Sequence, residues 1–307
     1  APIQSGVIML KVDAHLHVFT KASREFPREI SDRMPAERDE SVEKLMTSMD
    51  SHGIDQAVLV QIGGTNIPEH AYLLDCLKRY PGKFRGIGLI PPDCDAPEDH
   101  MDKLADGTGI IGFRLNHIGG PSDPFAPIDI RKFENYRVWK HAAKKDYVLW
   151  VYLRARDAHL LGYMADAFPQ VRTVINPLGV CPGEGRFSWD ELGRPQCEIP
   201  AYPPAYHTTH RLGRYENISM LLSGHYAFSR EDYPYRDFAS WHQSLMRTYG
   251  SHRLMWATDF PWILENPGYG PLTKIINELT PDISADQLDD IMGSSARRIL
   301  RFPDLPK

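Results

Sequence analysis

Two histidines one residue apart, His15 and His17, close the apolar run "MLKVDAHLH" and are the first residues of the chain equipped for chemistry. An imidazole can hold a metal ion, take up a proton or give one away. In a strand, residues i and i+2 project to the same side, so both rings are expected on one face, with Asp13 deeper on that face. Asp259, in "LMWATDFPW", is the second candidate. An ionisable side chain at the end of a buried strand costs free energy unless it is paired or used. A carboxylate there can ligate a metal or accept a proton from an attacking water. Each residue also has a plainer reading. His-x-His alone is a weak motif, equally suited to packed strand histidines bonded to backbone carbonyls, and Asp259 could be a helix cap or half of a structural ion pair.

Such residues need elements that bring them together. Apolar, β-branched runs recur along the chain: "LKVDAHL", "QAVLVQI", "FRGIGLI", "GIIGFRL", "YVLWVYL", "VRTVIN", "NISMLLS" and "RLMWATD". Most are followed by an amphipathic stretch. The stretch from Ser41 to Gly53, for example, has a capping residue at its start and a glycine stop at its end. Near-continuous apolar strands suit a parallel sheet buried on both faces. Eight strand–helix units predict a single α/β domain, a (β/α)8 TIM-type barrel over residues 9–307. In a closed barrel the eighth strand neighbours the first, which would set Asp259 across from His15 and His17 at the C-terminal mouth. Residues 177–212 are too long and too rich in Gly and Pro for a simple crossover. They are expected as a loop insertion after the sixth strand, a lid or binding element over that mouth. Residues 1–8 precede Met9 and are expected as an extension.

Composition narrows the function classes. Of 307 residues, 42% are hydrophobic and 24% charged, as in an ordinary globular protein. The net charge of −5 without any Lys/Arg-dense run argues against nucleic acid. No apolar run approaches the roughly 20 residues of a membrane span. The N-terminus lacks the charged and apolar regions of a secretory signal. The four cysteines (Cys76, Cys94, Cys181, Cys197) lack CxxC spacing and are expected as free thiols of a cytoplasmic protein, with a Cys181–Cys197 bridge the minor alternative. Oligomeric state is open; a homo-oligomer is compatible with the sequence.

Four motifs, "VDAHLHVF", "GFRLN", "NISMLLSG" and "WATDFPW", stand in this order, with "DDIMGSSARRIL" near the C-terminus. Together they resemble the amidohydrolase-2 branch of the amidohydrolase superfamily, and within it the group of 2-pyrone-4,6-dicarboxylate lactonase, sulfomuconolactonase and fuconolactonase. The resemblance covers nearly the whole chain. It implies a (β/α)8 barrel that hydrolyses a ring ester, with a catalytic aspartate matching Asp259. It also implies either a divalent metal, zinc first, held through the His-x-His pair, or no metal at all.

The chain departs from that pattern at strand six, where Asn176-Pro177 replaces the family's Asp-His. Proline neither binds a metal nor donates a hydrogen bond. Strand five, "YVLWVYLRAR", has no histidine either. A catalytic zinc needs three protein ligands. His15, His17 and Asp259 could supply them, with His225 as a substitute and His207 or His210 as alternatives in the long loop.

The substrate is expected to be a small acidic cyclic molecule. Arg114, matching the family's arginine, and Arg154, by position alone, could each fork a carboxylate or sulfonate; surface salt bridges are the competing reading. Tyr152, His225, Tyr226, His117 and Trp262 are further candidates for the mouth, against plain core packing or solvent exposure. The expected activity is therefore hydrolysis of a lactone, water being activated by Asp259 or a metal. The alternatives are a metal-dependent decarboxylase or hydratase of an aromatic-derived acid, which the His-x-His start disfavours, and a catalytically inactive barrel.

Overall fold

The computed structural model describes residues 9–152, 155–179, 187–197 and 205–305. Strands β1 (Val12–Leu16), β2 (Gln56–Val60), β3 (Phe84–Leu89), β4 (Ile110–Leu115), β5 (Val148–Tyr152) and β6 (Thr173–Asn176) pair in parallel and in chain order. Two short strands, β7 (Phe187–Trp189) and β8 (Pro195–Cys197), form a separate antiparallel hairpin. The sheet resumes with β9 (Ile218–Leu222), which pairs with β6, and ends with β10 (Leu254–Trp256). The eight runs expected as strands are thus the eight strands of one parallel sheet.

Closure between β10 and β1 is made just past the strand ends. The Asp259 amide donates to the His15 carbonyl at 3.0 Å, and the His17 amide to the Phe260 carbonyl at 2.8 Å. These bonds form a TIM-type barrel and set the Asp259 backbone beside the two histidines.

The strands are apolar because both of their faces are covered. Val58, Val60, Ile87, Val174, Leu221 and Met255 fill the barrel interior, while residues such as Leu16, Leu59, Phe113 and Ile175 pack outward against the helices. The helices follow the expected local rules. Ser41 caps the helix Val42–His52 by accepting from the Lys44 amide, and Gly53 ends it in the left-handed region at φ 68°. The span 177–212, expected as a loop, contains the β7–β8 hairpin and a helix, Ala205–Leu212. No helix among the described residues is long and apolar enough to cross a membrane. Cys76 and Cys94 carry free thiols; Cys181 lies outside the described residues.

Candidate active site

Regular alternation along β1 would put His15 on the same side as Asp13. The register of β1 against β2 shifts between Asp13 and Leu16, and the alternation breaks there. Val12 and Ala14 face the barrel interior, while Asp13 faces the other way. The Asp13 carboxylate accepts from the Thr258 amide at 3.0 Å, the Thr258 hydroxyl and the Tyr269 hydroxyl at 3.0 Å. The expectation that Asp13 lies beneath the histidines is therefore corrected: the shift turns His15 inward and leaves Asp13 as a structural link to β10. Burial raises the Asp13 carboxyl from its ordinary 3.8 to about 6, against those hydrogen bonds.

His15, His17 and Asp259 meet at the mouth. Asp259 Oδ1 lies 3.5 Å from Nε2 of both His15 and His17. Both imidazoles are buried, whereas the Asp259 side chain keeps 16% exposure towards the cavity above. Asp259 sits in the left-handed region at φ 64°, an uncommon conformation for a residue other than glycine. Its second oxygen, Oδ2, accepts from the Tyr226 hydroxyl at 2.6 Å. Burial, followed by the charge of Asp259, holds the Tyr226 phenol well above its ordinary value, so it acts as a donor.

The other ring nitrogens determine what each histidine can offer. His17 Nδ1 lies 2.9 Å from the Val60 carbonyl, which only accepts, so Nδ1 carries a proton. His15 Nδ1 accepts from the indole Nε1 of Trp150 at 2.9 Å, so it carries none. Burial, then the neighbouring His17 and Arg114, pushes the His15 imidazole well below its ordinary value, in keeping with a neutral ring.

A cavity of about 280 Å³ lies over this cluster, lined by Arg33, Arg114, Tyr152, Asn176, Ser223 and Trp262 among others. Residues Trp189, Pro195 and Cys197 of the β7–β8 excursion form part of its wall. The Arg114 guanidinium stands 4.9 Å from the centroid of the Tyr152 ring. Burial lowers its proton affinity, while Tyr152 and Asp259 oppose the shift. A second cavity of about 850 Å³ shares Arg114 and Tyr152 and extends past His117 and Glu134, which are 2.7 Å apart.

Not every expected residue reaches the site. His225 does not line the cavity: its Nε2 is 2.6 Å from Nε2 of His242, and its ring stacks on Tyr235. The 3-10 turn 225–227 presents Tyr226 inward and buries His225 behind it. His210 faces Ser244 and Trp241. Arg154 and the His207 side chain lie outside the described residues. Sequence reasoning missed Arg33, which comes from the irregular segment after β1. It also missed Ser223, whose buried hydroxyl has no hydrogen-bond partner among the described residues and whose residue lines the cavity. Arg33 carries no local motif, and only the fold brings it in, whereas Ser223 lies within "NISMLLSG", directly after β9.

The donor atoms of His15, His17 and Asp259 lie within 4.8 Å of one another, close enough to share a cation. A cation needs lone pairs, however, and only His17 Nε2 and the Asp259 carboxylate offer them. With Nδ1 accepting from Trp150, the neutral His15 carries its proton on Nε2. The set is one ligand short of the three that a catalytic zinc takes from protein.

The architecture and this cluster define an α/β-barrel enzyme with its site at the C-terminal ends of the strands. The chain belongs to the amidohydrolase family, whose model matches residues 12–302. It is 23% identical over 295 residues to the 4-sulfomuconolactone hydrolase of Hydrogenophaga intermedia, covering 94% of this chain and 87% of that protein. Among solved structures, it superposes on a Pseudomonas putida protein assigned as a 2-pyrone-4,6-dicarboxylic acid hydrolase with a TM-score of 0.69, at 20% identity and covering 97% and 99% of the two chains. It also superposes on a zinc-bound amidohydrolase from Burkholderia multivorans with a TM-score of 0.72, at 18% identity and covering 96% and 100%.

Proposed function

We propose that the protein hydrolyses the lactone of a small, negatively charged molecule, with Asp259 as general base. The observation that carries this reading is the position of Asp259 Oδ1, 3.5 Å from both imidazole Nε2 atoms beneath a cavity lined by Arg33 and Arg114. Membership of the amidohydrolase family and likeness to a lactone hydrolase support the reaction class.

In this mechanism a water beside Asp259 gives a proton to Oδ1 as its oxygen adds to the lactone carbonyl. His17 Nε2 accepts the second hydrogen of the water and aims it. The carbonyl oxygen becomes an oxyanion, stabilised by the His15 Nε2–H, while Arg114 holds the acidic group of the substrate. Collapse of the tetrahedral intermediate breaks the ring C–O bond, and the departing oxygen takes the proton back from Asp259. The product is an open-chain hydroxy acid or its keto tautomer, and the carboxylate is restored. Tyr226 holds Oδ2, leaving Oδ1 free to exchange the proton. No step is routed through a metal, because the donor set is one lone pair short.

The test is hydrolysis of a panel of mono- and dianionic lactones by wild type and Asp259→Asn. The variant should fold normally and lose roughly 10²- to 10⁴-fold in kcat, the usual contribution of a general base. A folded Asp259→Asn that keeps full activity would remove the mechanism. Release of carbon dioxide from cyclic acids, without lactone opening, would select the decarboxylase alternative.

A further inference from the structure

We infer that Trp150 fixes the tautomer of His15, splitting the His15-x-His17 pair into one hydrogen-bond donor and one lone-pair acceptor instead of two metal ligands. Trp150 lies in β5, fully buried in the barrel interior across from β1. In sequence it is one more apolar strand residue; its indole N–H supplies the chemistry. That N–H donates and never accepts, and it lies 2.9 Å from His15 Nδ1. The two rings are nearly parallel, inclined by 10° with their centroids 6.2 Å apart. A protonated imidazolium has no lone pair to offer there. His15 is therefore neutral, with its proton on Nε2.

His17 is held in the opposite form. Its Nδ1 is 2.9 Å from the Val60 carbonyl oxygen, so the proton sits on Nδ1 and the Nε2 lone pair is free in the neutral ring. Both Nε2 atoms stand at 3.5 Å from Asp259 Oδ1, yet that of His15 is an N–H, whereas that of His17 is a lone pair in the neutral ring. Binding a cation at His15 Nε2 would require the His15 proton to move to Nδ1. Two N–H groups would then face each other at 2.9 Å where Trp150 has no exposed surface, and neither would have a partner. Trp150 is thus a positioning residue that reserves His15 as a donor. The use of that donor on an oxyanion rests on the lactonase reading; the tautomer itself does not.

The decisive measurement is long-range ¹H–¹⁵N correlation NMR on the full chain, labelled in its histidine rings and stripped with chelator. The His15 and His17 signals are assigned by their loss in His15→Gln and His17→Gln. His15 should carry its proton on Nε2 and His17 on Nδ1; a proton on His15 Nδ1 in wild type overturns the inference. Equilibrium dialysis against zinc supplies the second readout. Wild type should take up no zinc that His15→Gln abolishes, and stoichiometric uptake of that kind overturns the inference. Trp150→Phe keeps a ring but removes the N–H, and should gain zinc uptake that His15→Gln in the same background removes. A folded Trp150→Phe without that gain overturns the assignment of Trp150 as the excluding group. If Trp150→Phe does not fold, the wild-type tautomers decide alone. Neither readout uses a lactone, so failure of the lactone assay and failure of this inference are separately visible.

Discussion

The Tyr226 hydroxyl donates to Oδ2 of Asp259 at 2.6 Å, and the opposite oxygen, Oδ1, is the one that faces His15 and His17. The two oxygens of one carboxylate thus have different neighbours. Oδ2 is held by a buried phenol, and Oδ1 is left to the chemistry.

Removing that hydroxyl should therefore impair catalysis more than binding. Tyr226→Phe keeps the ring, and with it the cation–π contact with Arg194, whose guanidinium carbon is 4.8 Å from the ring centroid. The lost bond is to a charged acceptor, worth about 1.5–3 kcal/mol, which corresponds to roughly a 10- to 100-fold fall in kcat. KM should change by no more than a few-fold. Steady-state kinetics on any accepted lactone checks this; a KM effect with kcat intact would assign Tyr226 to substrate binding instead.

Arg114 should show the opposite split. It lies at the wall common to the two cavities and has no carboxylate bonded to it among the described residues. Arg114→Ala should raise KM for an anionic lactone by roughly 10- to 100-fold, the value of a charge-assisted hydrogen bond. A neutral lactone of the same ring should lose much less. Equal losses on both would mean that Arg114 acts on the oxyanion and not on an acidic substituent.

Arg33 extends the same logic to a residue no motif marks. Its guanidinium carbon lies 3.7 Å from the centroid of the Trp189 ring, joining the segment after β1 to the β7–β8 hairpin across the cavity. Arg33→Ala removes both a positive charge and this stacking contact, worth about 0.5–2 kcal/mol. Arg33→Met keeps length and apolar contact but not charge. If Arg33 reads a second anionic group, both variants should raise KM alike for a dianionic lactone and leave a monoanionic one nearly unchanged. If only the stacking matters, Arg33→Met should behave like wild type.

The barrel was legible because it depends on composition along the strands, and β1 to β6, β9 and β10 are apolar wherever both faces are covered. Adjacency of Asp259 to His15 followed from closure. The orientation of Asp13 did not, because a register shift leaves no mark in a period-two pattern. His225 followed an apolar strand as an inward residue would, but the turn after Gly224 (φ 79°) swings it towards His242. Trp150 was visible only as bulk, since a sequence pattern records hydrophobicity and not where an N–H points. Arg33 enters the site through tertiary contacts alone, whereas Ser223 directly follows a barrel strand and could have been read from that position.

The misjudged residue, Asp13, gives a test of stability. Its carboxyl titrates at about 6 in the folded chain, against an ordinary 3.8, because burial disfavours the charged form. At pH below both values it is protonated in both states and contributes no pH dependence. As the pH rises from about 4 to about 6, the unfolded chain releases this proton while the folded chain retains it, so the unfolded state gains in relative stability. Above about 6 both states are ionised and the deficit stays constant. Asp13→Asn has no proton to release, and its amide oxygen can still accept from the Thr258 amide, 3.0 Å from the present Oδ1. Other carboxylates titrate in the same window, so the informative quantity is the difference in Tm between Asp13→Asn and wild type. That difference should grow in favour of the variant between about pH 4 and pH 6 and level off above. Parallel melting curves across this range would mean that the hydrogen bonds from Thr258 and Tyr269 offset the burial of the charge.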